Sequence, residues 1–207
     1  MKPILFSGEM VRAILDGRKT MTRRILGNKK IWPCDLIQDS EIREGKEVAL
    51  GYEDEYGNWH TTESACPYGG PGDRLWVRET WQGTPDCISY RATDPRQVIE
   101  FNYDRWCPSI FMPRWASRIT LEITNVRVEK LREITEEDAI REGIPSVYEN
   151  YSNAVQFWSE KHKKYFNGEN HISVFQQIWN SINGKKYPWD ANPWVWVISF
   201  RRINPTQ

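Results

Sequence analysis

Gly17-Arg18-Lys19-Thr20-Met21-Thr22-Arg23-Arg24 ends one element and begins the next. Upstream, Ser7 is a good N-cap, and Met10, Val11, Ile14 and Leu15 recur at helical spacing. Gly17 stops that helix, because a residue without a Cβ adopts positive φ at no steric cost. Downstream, Lys19, Met21, Arg23 and Ile25 alternate with Thr20, Thr22 and Arg24, which is the period of a strand. Pro3 to Phe6 supplies a short strand ahead of the helix. The stretch therefore predicts a helix-to-strand turn that carries four cations, Arg18, Lys19, Arg23 and Arg24.

Beyond this stretch, residues 27 to 70 are polar, turn-rich and acidic, with Tyr56-Gly57-Asn58-Trp59 as a hairpin tip. Pro71-Gly72-Asp73 is a turn before a strand from Leu75 to Trp81. Residues 82 to 113, broken by Pro85, Pro95, Pro108 and Pro113, read as loops and short strands. Ser117 to Val128 is a long strand whose phase changes near Asn125, the mark of a bulge. Thr135-Glu136-Glu137-Asp138 has capping-box spacing and opens a short helix ending at Gly143. A polar stretch from 146 to 170 is expected to be partly helical between Ser152 and Tyr165. Val174 to Ile182 is an amphipathic helix, and Trp194 to Ile203 a closing strand. Strands outnumber helices and turn signals are dense. The expected class is α+β, a small β-barrel with flanking helices rather than a doubly wound sheet. Residues 1 to 207 read as one domain with polar insertions near 27–70, 82–113 and 145–170.

Charge limits the classes of function. The 28 Lys+Arg balance the 28 Asp+Glu of the 207 residues, which excludes a uniformly polycationic nucleic-acid coat but not a local basic site. Neutrality is a sum of opposed patches. Lys2, Arg12, Arg18, Lys19, Arg23, Arg24, Lys29 and Lys30 crowd the first thirty residues, and acids dominate 35 to 64. A basic edge of this kind is an anion site, and the acidic segment 35–64 is a surface open to a protein partner. No apolar run approaches the roughly 18 residues of a membrane span. The apolar start of MKPILFSGEM is too short for a signal peptide, so a cytoplasmic location is expected.

Aromatic residues are abundant, at 11 Trp, 9 Tyr and 7 Phe, and such rings either fill a core or stack on a flat ligand. The cysteines at 34, 66, 87 and 107 form no CxxC pair, and only three histidines are present. Free thiols are expected and no metal or cofactor; Cys34, His60 and Cys66 would be the alternative, scattered ligand set. No P-loop, GxGxxG, HExxH or GxSxG motif occurs.

Crowding of four cations, with partial burial, should lower the proton affinity of Lys19 and favour its neutral form. A neutral lysine beside the Thr22 hydroxyl is a base–nucleophile pair, and Arg24 is an anion donor on the same strand. Trp115 lies between Arg114 and Arg118, a plausible stacking platform for a base. Arg78 and Glu79 would add an anion donor and an acceptor for an exocyclic amine.

These blocks resemble a known family. Gly17-x-Lys19-x-x-Thr22-x-Arg24 is similar to the signature of the ASCH domain, a compact PUA-like β-barrel, in the version carried by small bacterial N4-acetylcytidine amidohydrolases. Pro71 to Glu79 resembles the family's Gly-Asp turn and strand, Ile134 to Gly143 its Thr-Glu-x-x-Ala-x-x-Glu helix, and Trp196 to Phe200 its last strand. Trp115 to Ile119, Trp179 to Asn183 and Trp189 to Trp194 make the whole chain look most like ASCH-domain proteins encoded in bacterial prophages. The three insertions have no counterpart in the minimal amidohydrolases. The resemblance implies RNA or a modified nucleoside or nucleotide as ligand, with Lys19 as base, Thr22 as nucleophile and Glu142 as the acid that orients or relays protons. It equally accommodates a pocket that binds without catalysis.

Overall fold

The computed structural model describes residues 1–26, 31–33, 48–53, 59–64, 66–94, 105–144, 155–159 and 163–203. Strand β1 (Lys2–Leu5), helix α1 (Gly8–Leu15) and strand β2 (Met21–Ile25) open the chain. Strands β3 (Ile31–Pro33), β4 (Val48–Glu53) and β5 (Trp59–Ser64) make a three-stranded antiparallel sheet. Strand β6 (Arg74–Arg78) precedes a hairpin of β7 (Trp81–Thr84) and β8 (Cys87–Tyr90). Then come β9 (Thr120–Lys130), α2 (Glu136–Arg141), a hairpin of β10 (Val155–Ser159) and β11 (Lys164–Gly168), α3 (His171–Asn183) and β12 (Trp194–Ile203).

The main sheet runs β1-β6-β9-β12-β2, with β1 parallel to β6 and every other pair antiparallel. The class is mixed α+β. Backbone pairing leaves β1 and β2 as edges, so the described residues form no closed barrel. One side chain spans the gap, where the Arg24 guanidinium donates to the Leu5 carbonyl oxygen at 2.7 Å.

Strand β12 shows why two cores form. Trp196, Ile198 and Phe200 point to one side and pack with Ile4, Val11, Ile14, Leu75 and Leu121. Val195 and Val197 point to the other and pack with Met21, Ala139, Val174, Ile178 and Trp179. A strand apolar on both faces belongs inside a sheet, and β12 lies between β9 and β2. The phase change in β9 is a bulge. Ser199 pairs with Asn125 but Phe200 with Ile123, so Thr124 is the extra residue.

Two local expectations need correction. The span from Ser152 to Tyr165 is not helical where it is described, because Val155–Ser159 pairs with Lys164–Gly168 as antiparallel strands. Val155, Phe157 and Ser159 are buried while Gln156 and Trp158 are more open, which is period two. Thr135 caps α2 by accepting from the Asp138 backbone N–H at 3.2 Å, but the box is half made. The Asp138 carboxylate faces Arg23 and Arg127 instead. The Tyr56–Trp59 hairpin tip falls largely outside the described residues, although Glu53 pairs with Trp59 across it.

Candidate active site

Two glycines bring distant segments together. Gly17, at φ +76°, ends α1 and turns the chain so that the Lys19 N–H donates to Ala13 O and the Thr20 N–H to Arg141 O. The start of β2 is thereby stitched to the C-terminal end of α2. Glu142 is the C-cap of that helix, and Gly143 follows at φ +96°. A Cβ on Gly143 would stand 3.0 Å from the Cβ atoms of both Ala13 and Lys19, so only glycine permits this approach.

Ala139 and Glu142 share the buried face of α2, as their spacing of three requires. A carboxylate at a helix C-terminus opposes the dipole, and compensation comes from Lys19. Its ammonium donates both to the Glu142 backbone carbonyl at 2.7 Å and to Oε2 at 2.6 Å. Lys19 thus caps the helix and neutralises its terminal acid together.

The pair is one end of a longer network. Arg23 reaches Glu142 Oε1 at 3.4 Å, Asp138 Oδ2 at 2.6 Å and Glu129 Oε1 through Nε at 3.1 Å. Arg127 closes it on Glu129 at 2.8 Å and on Asp138. Lys19, Arg23 and Arg127 therefore face Glu129, Asp138 and Glu142, three charges of each sign. Burial pulls the Arg23 guanidinium down, but Glu142, Glu129 and Asp138 outweigh it and the net shift is upward. For Lys19 the balance falls the other way. Burial lowers its proton affinity below the ordinary 10.5, Glu142 opposes this, and Arg24 and Arg23 add to the lowering. The direction matches the expectation, but burial rather than repulsion between cations is the main cause.

Lys19, Thr22, Arg24 and Glu142 line one cavity of about 500 Å³. Its wall runs from Leu5, Phe6 and Ser7 at the edge of β1, around β2, to Phe157, Phe166, Phe175, Ile178 and Trp179. Lys19, Thr22 and Glu142 are all nearly inaccessible, at 3%, 4% and 4% exposure. The Thr22 hydroxyl makes no hydrogen bond with Lys19 or Glu142 among the described residues. Arg24 stacks over Phe6 with its Cζ 5.2 Å from the ring centroid, and its Nε is buried without a hydrogen-bond partner among the described residues.

The remaining candidate residues lie outside this cavity lining. Glu79 is buried and held by Arg118 in a two-pronged ion pair, at 2.9 and 3.0 Å. Burial raises its proton affinity, against the pull of Arg118. The Arg118 guanidinium also lies 3.9 Å from the Tyr90 ring centroid. Arg78 donates to Ile110 O at 3.1 Å and stacks on Trp76, as does Arg114. Trp115 is 53% exposed and meets Trp81 edge-on at 5.5 Å. Arg78 and Trp115 thus meet Ile110 and Trp81, chain neighbours of the lining residues Ser109 and Thr80, whereas Glu79 is committed to Arg118. Cys66, Cys87 and Cys107 are free thiols, while Cys34 and the His60 side chain lie outside the described residues. So does most of the acidic segment 35–64 apart from the backbone of its strands.

Arg23, Glu129, Asp138 and Arg127 were not foreseen from the sequence. The usable signal was the strand alternation, which puts Arg23 with Met21 on a face that turns out to be core. A guanidinium there demands carboxylates, and the acidic first turn of α2 supplies one. Set against family models, curated proteins and solved structures, the chain finds no match. Among the described residues, no helix is long and apolar enough to cross a membrane.

Proposed function

We propose that the chain is an ASCH-type, PUA-like domain whose cavity binds a modified nucleoside or nucleotide and hydrolyses an amide on an acylated base. The supporting observation is the inaccessible Lys19–Glu142 pair, 2.6 Å apart, in a cavity that Thr22 and Arg24 also line. Burial favours neutral forms. The lowered proton affinity of Lys19 makes its amine form accessible. With substrate bound, the Thr22 hydroxyl comes within reach of that amine, since catalytic contacts tighten in the substrate complex. Thr22 Oγ attacks the amide carbonyl carbon and Lys19 takes its proton. Arg24 stabilises the oxyanion. The C–N bond then breaks, the amine leaves with the proton from Lys19, and a threonyl ester remains. Water, deprotonated by Lys19, cleaves the ester and releases the carboxylic acid, and the proton returns to Thr22. Incubation with N4-acetylcytidine should release cytidine, and Lys19→Ala should not. Turnover no greater than that of Lys19→Ala with N4-acetylcytidine and with its larger N4-acyl analogues overturns the proposal.

A second reading, an RNA-binding module without catalysis, draws on the half-exposed Trp115 and on Arg78 and Arg114, which both stack on Trp76. RNA oligonucleotides should then quench tryptophan fluorescence, with the effect lost at high salt. An unchanged signal with RNA and with nucleosides counts against it.

A further inference from the structure

Cation–π contacts mark two ends of the cavity. At one, Arg24 lies over Phe6, with Ser7, Thr80 and Ser109 nearby in the lining. At the other, Arg23 lies 5.9 Å from the Phe175 ring centroid. Glu142 joins the two ends, because Lys19, itself 5.7 Å from the Phe6 centroid, takes Oε2 while Arg23 takes Oε1. The reacting groups therefore share the cavity with Arg24 and Ser7 on the Phe6 side and with a lobe rich in aromatic residues on the Phe175 side.

The aromatic lobe is built by the inserted hairpin and the helix after it. Phe157 and Phe166 come from β10 and β11, and Phe175, Ile178 and Trp179 from α3. Each is at most 8% exposed, yet each lines the cavity. The total of about 500 Å³ falls within the roughly 300–1,000 Å³ of sites for drug-sized ligands. An acetyl group has one methyl carbon to set against this wall. A larger apolar acyl group would add contacts to the faces that these core-packed rings turn to the cavity.

We infer that the substrate is an amide whose acyl half is aromatic or branched apolar, seated against Phe157, Phe166, Phe175 and Ile178, with its nucleoside amine half toward Arg24. The inference rests on the proposed hydrolysis and specifies its substrate class. Apolar discrimination of this kind amounts to about 10–200-fold per methylene in a fitted pocket.

The test compares cytidine, N4-acetylcytidine and N4-benzoylcytidine on the intact chain, by product release and by calorimetric binding. N4-benzoylcytidine should be hydrolysed with kcat/KM at least about 10-fold above the acetyl compound. Ile178→Asn should reduce that ratio, and Ile178→Val, which preserves packing, should reduce it less. If the acetyl compound is hydrolysed as well as or better than the benzoyl one, the acyl-class inference fails and the hydrolysis stands. If neither is hydrolysed but the benzoyl compound binds more tightly than cytidine, the aromatic lobe stands and the hydrolysis fails. If neither is hydrolysed and the benzoyl compound binds no more tightly than cytidine, both fail.

Discussion

Replacing Glu142 with glutamine removes one charge from a balanced set. Three cations would then face two carboxylates, Glu129 and Asp138. Lys19 would keep its bond to the backbone carbonyl of residue 142 at 2.7 Å but lose its ionic partner. Breaking a buried pair costs about 3–5 kcal/mol, and the surviving bond places this case near about 3 kcal/mol. With a urea slope of about 2 kcal/mol per molar, the unfolding midpoint of Glu142→Gln should fall by about 1.5 M at neutral pH.

The loss should depend on pH. In the wild type, burial already holds Lys19 below 10.5, and Glu142 is the group that counters this. Its removal lowers the folded-state proton affinity further. Between that lowered value and 10.5 the unfolded chain binds more protons than the folded one, so the variant gains stability as pH rises. The deficit against wild type should shrink toward pH 10.5, and adding Lys19→Met to Glu142→Gln should recover part of it at neutral pH. Urea titrations at several pH values measure both effects. A midpoint shift under about 0.3 M that does not vary with pH would be the behaviour of a solvent-exposed pair and would contradict a buried, charged Lys19–Glu142 contact.

Other consequences follow from the same contacts. Arg23→Lys keeps the charge but cannot serve three carboxylates at once, and should lose about 2–3 kcal/mol by urea denaturation; an unchanged midpoint contradicts the network. Gly143→Ala forces a side chain to φ +96° and against Lys19. It should cost about 1–3 kcal/mol in a thermal or urea melt and depress hydrolysis as well, whereas full activity would show that the lysine position is not critical. The rate of N4-acetylcytidine hydrolysis should rise with pH through a midpoint below 10.5, because the lowered proton affinity of Lys19 sets the fraction of neutral base. A flat profile from neutral pH to 10.5 removes Lys19 as the base.

Local signals carried the elements well where period and punctuation were strong. Trp194 to Ile203 is a strand over the whole expected span, and the turn at Gly17 has its positive φ. The bulge announced near Asn125 lies one residue away, at Thr124. The failures are of two kinds. Short alternations lose to their surroundings: Val155 to Ser159 is only five residues long inside a polar stretch, and the helix expected from Ser152 to Tyr165 runs across it. Long-range partners leave no local trace. Arg23 is tolerable in a core because Glu129, Asp138 and Glu142 arrive from more than a hundred residues away. Glu79, expected as an acceptor for an exocyclic amine, likewise meets Arg118, 39 residues on, a partner that no local spacing announces. The convergence of Lys19 and Glu142 could be anticipated only through the family resemblance, since no spacing in the chain links residues 123 apart.

Hydrolysis at this site requires that the Thr22 hydroxyl become acylated while Lys19 and Glu142 manage its proton. Acid quenching during steady hydrolysis of an N4-acylcytidine, followed by peptide mass spectrometry, reads this directly. An acyl ester on Thr22 in the wild type, together with loss of turnover in Thr22→Ala, is the predicted result. Undiminished cytidine release by Thr22→Ala would contradict it.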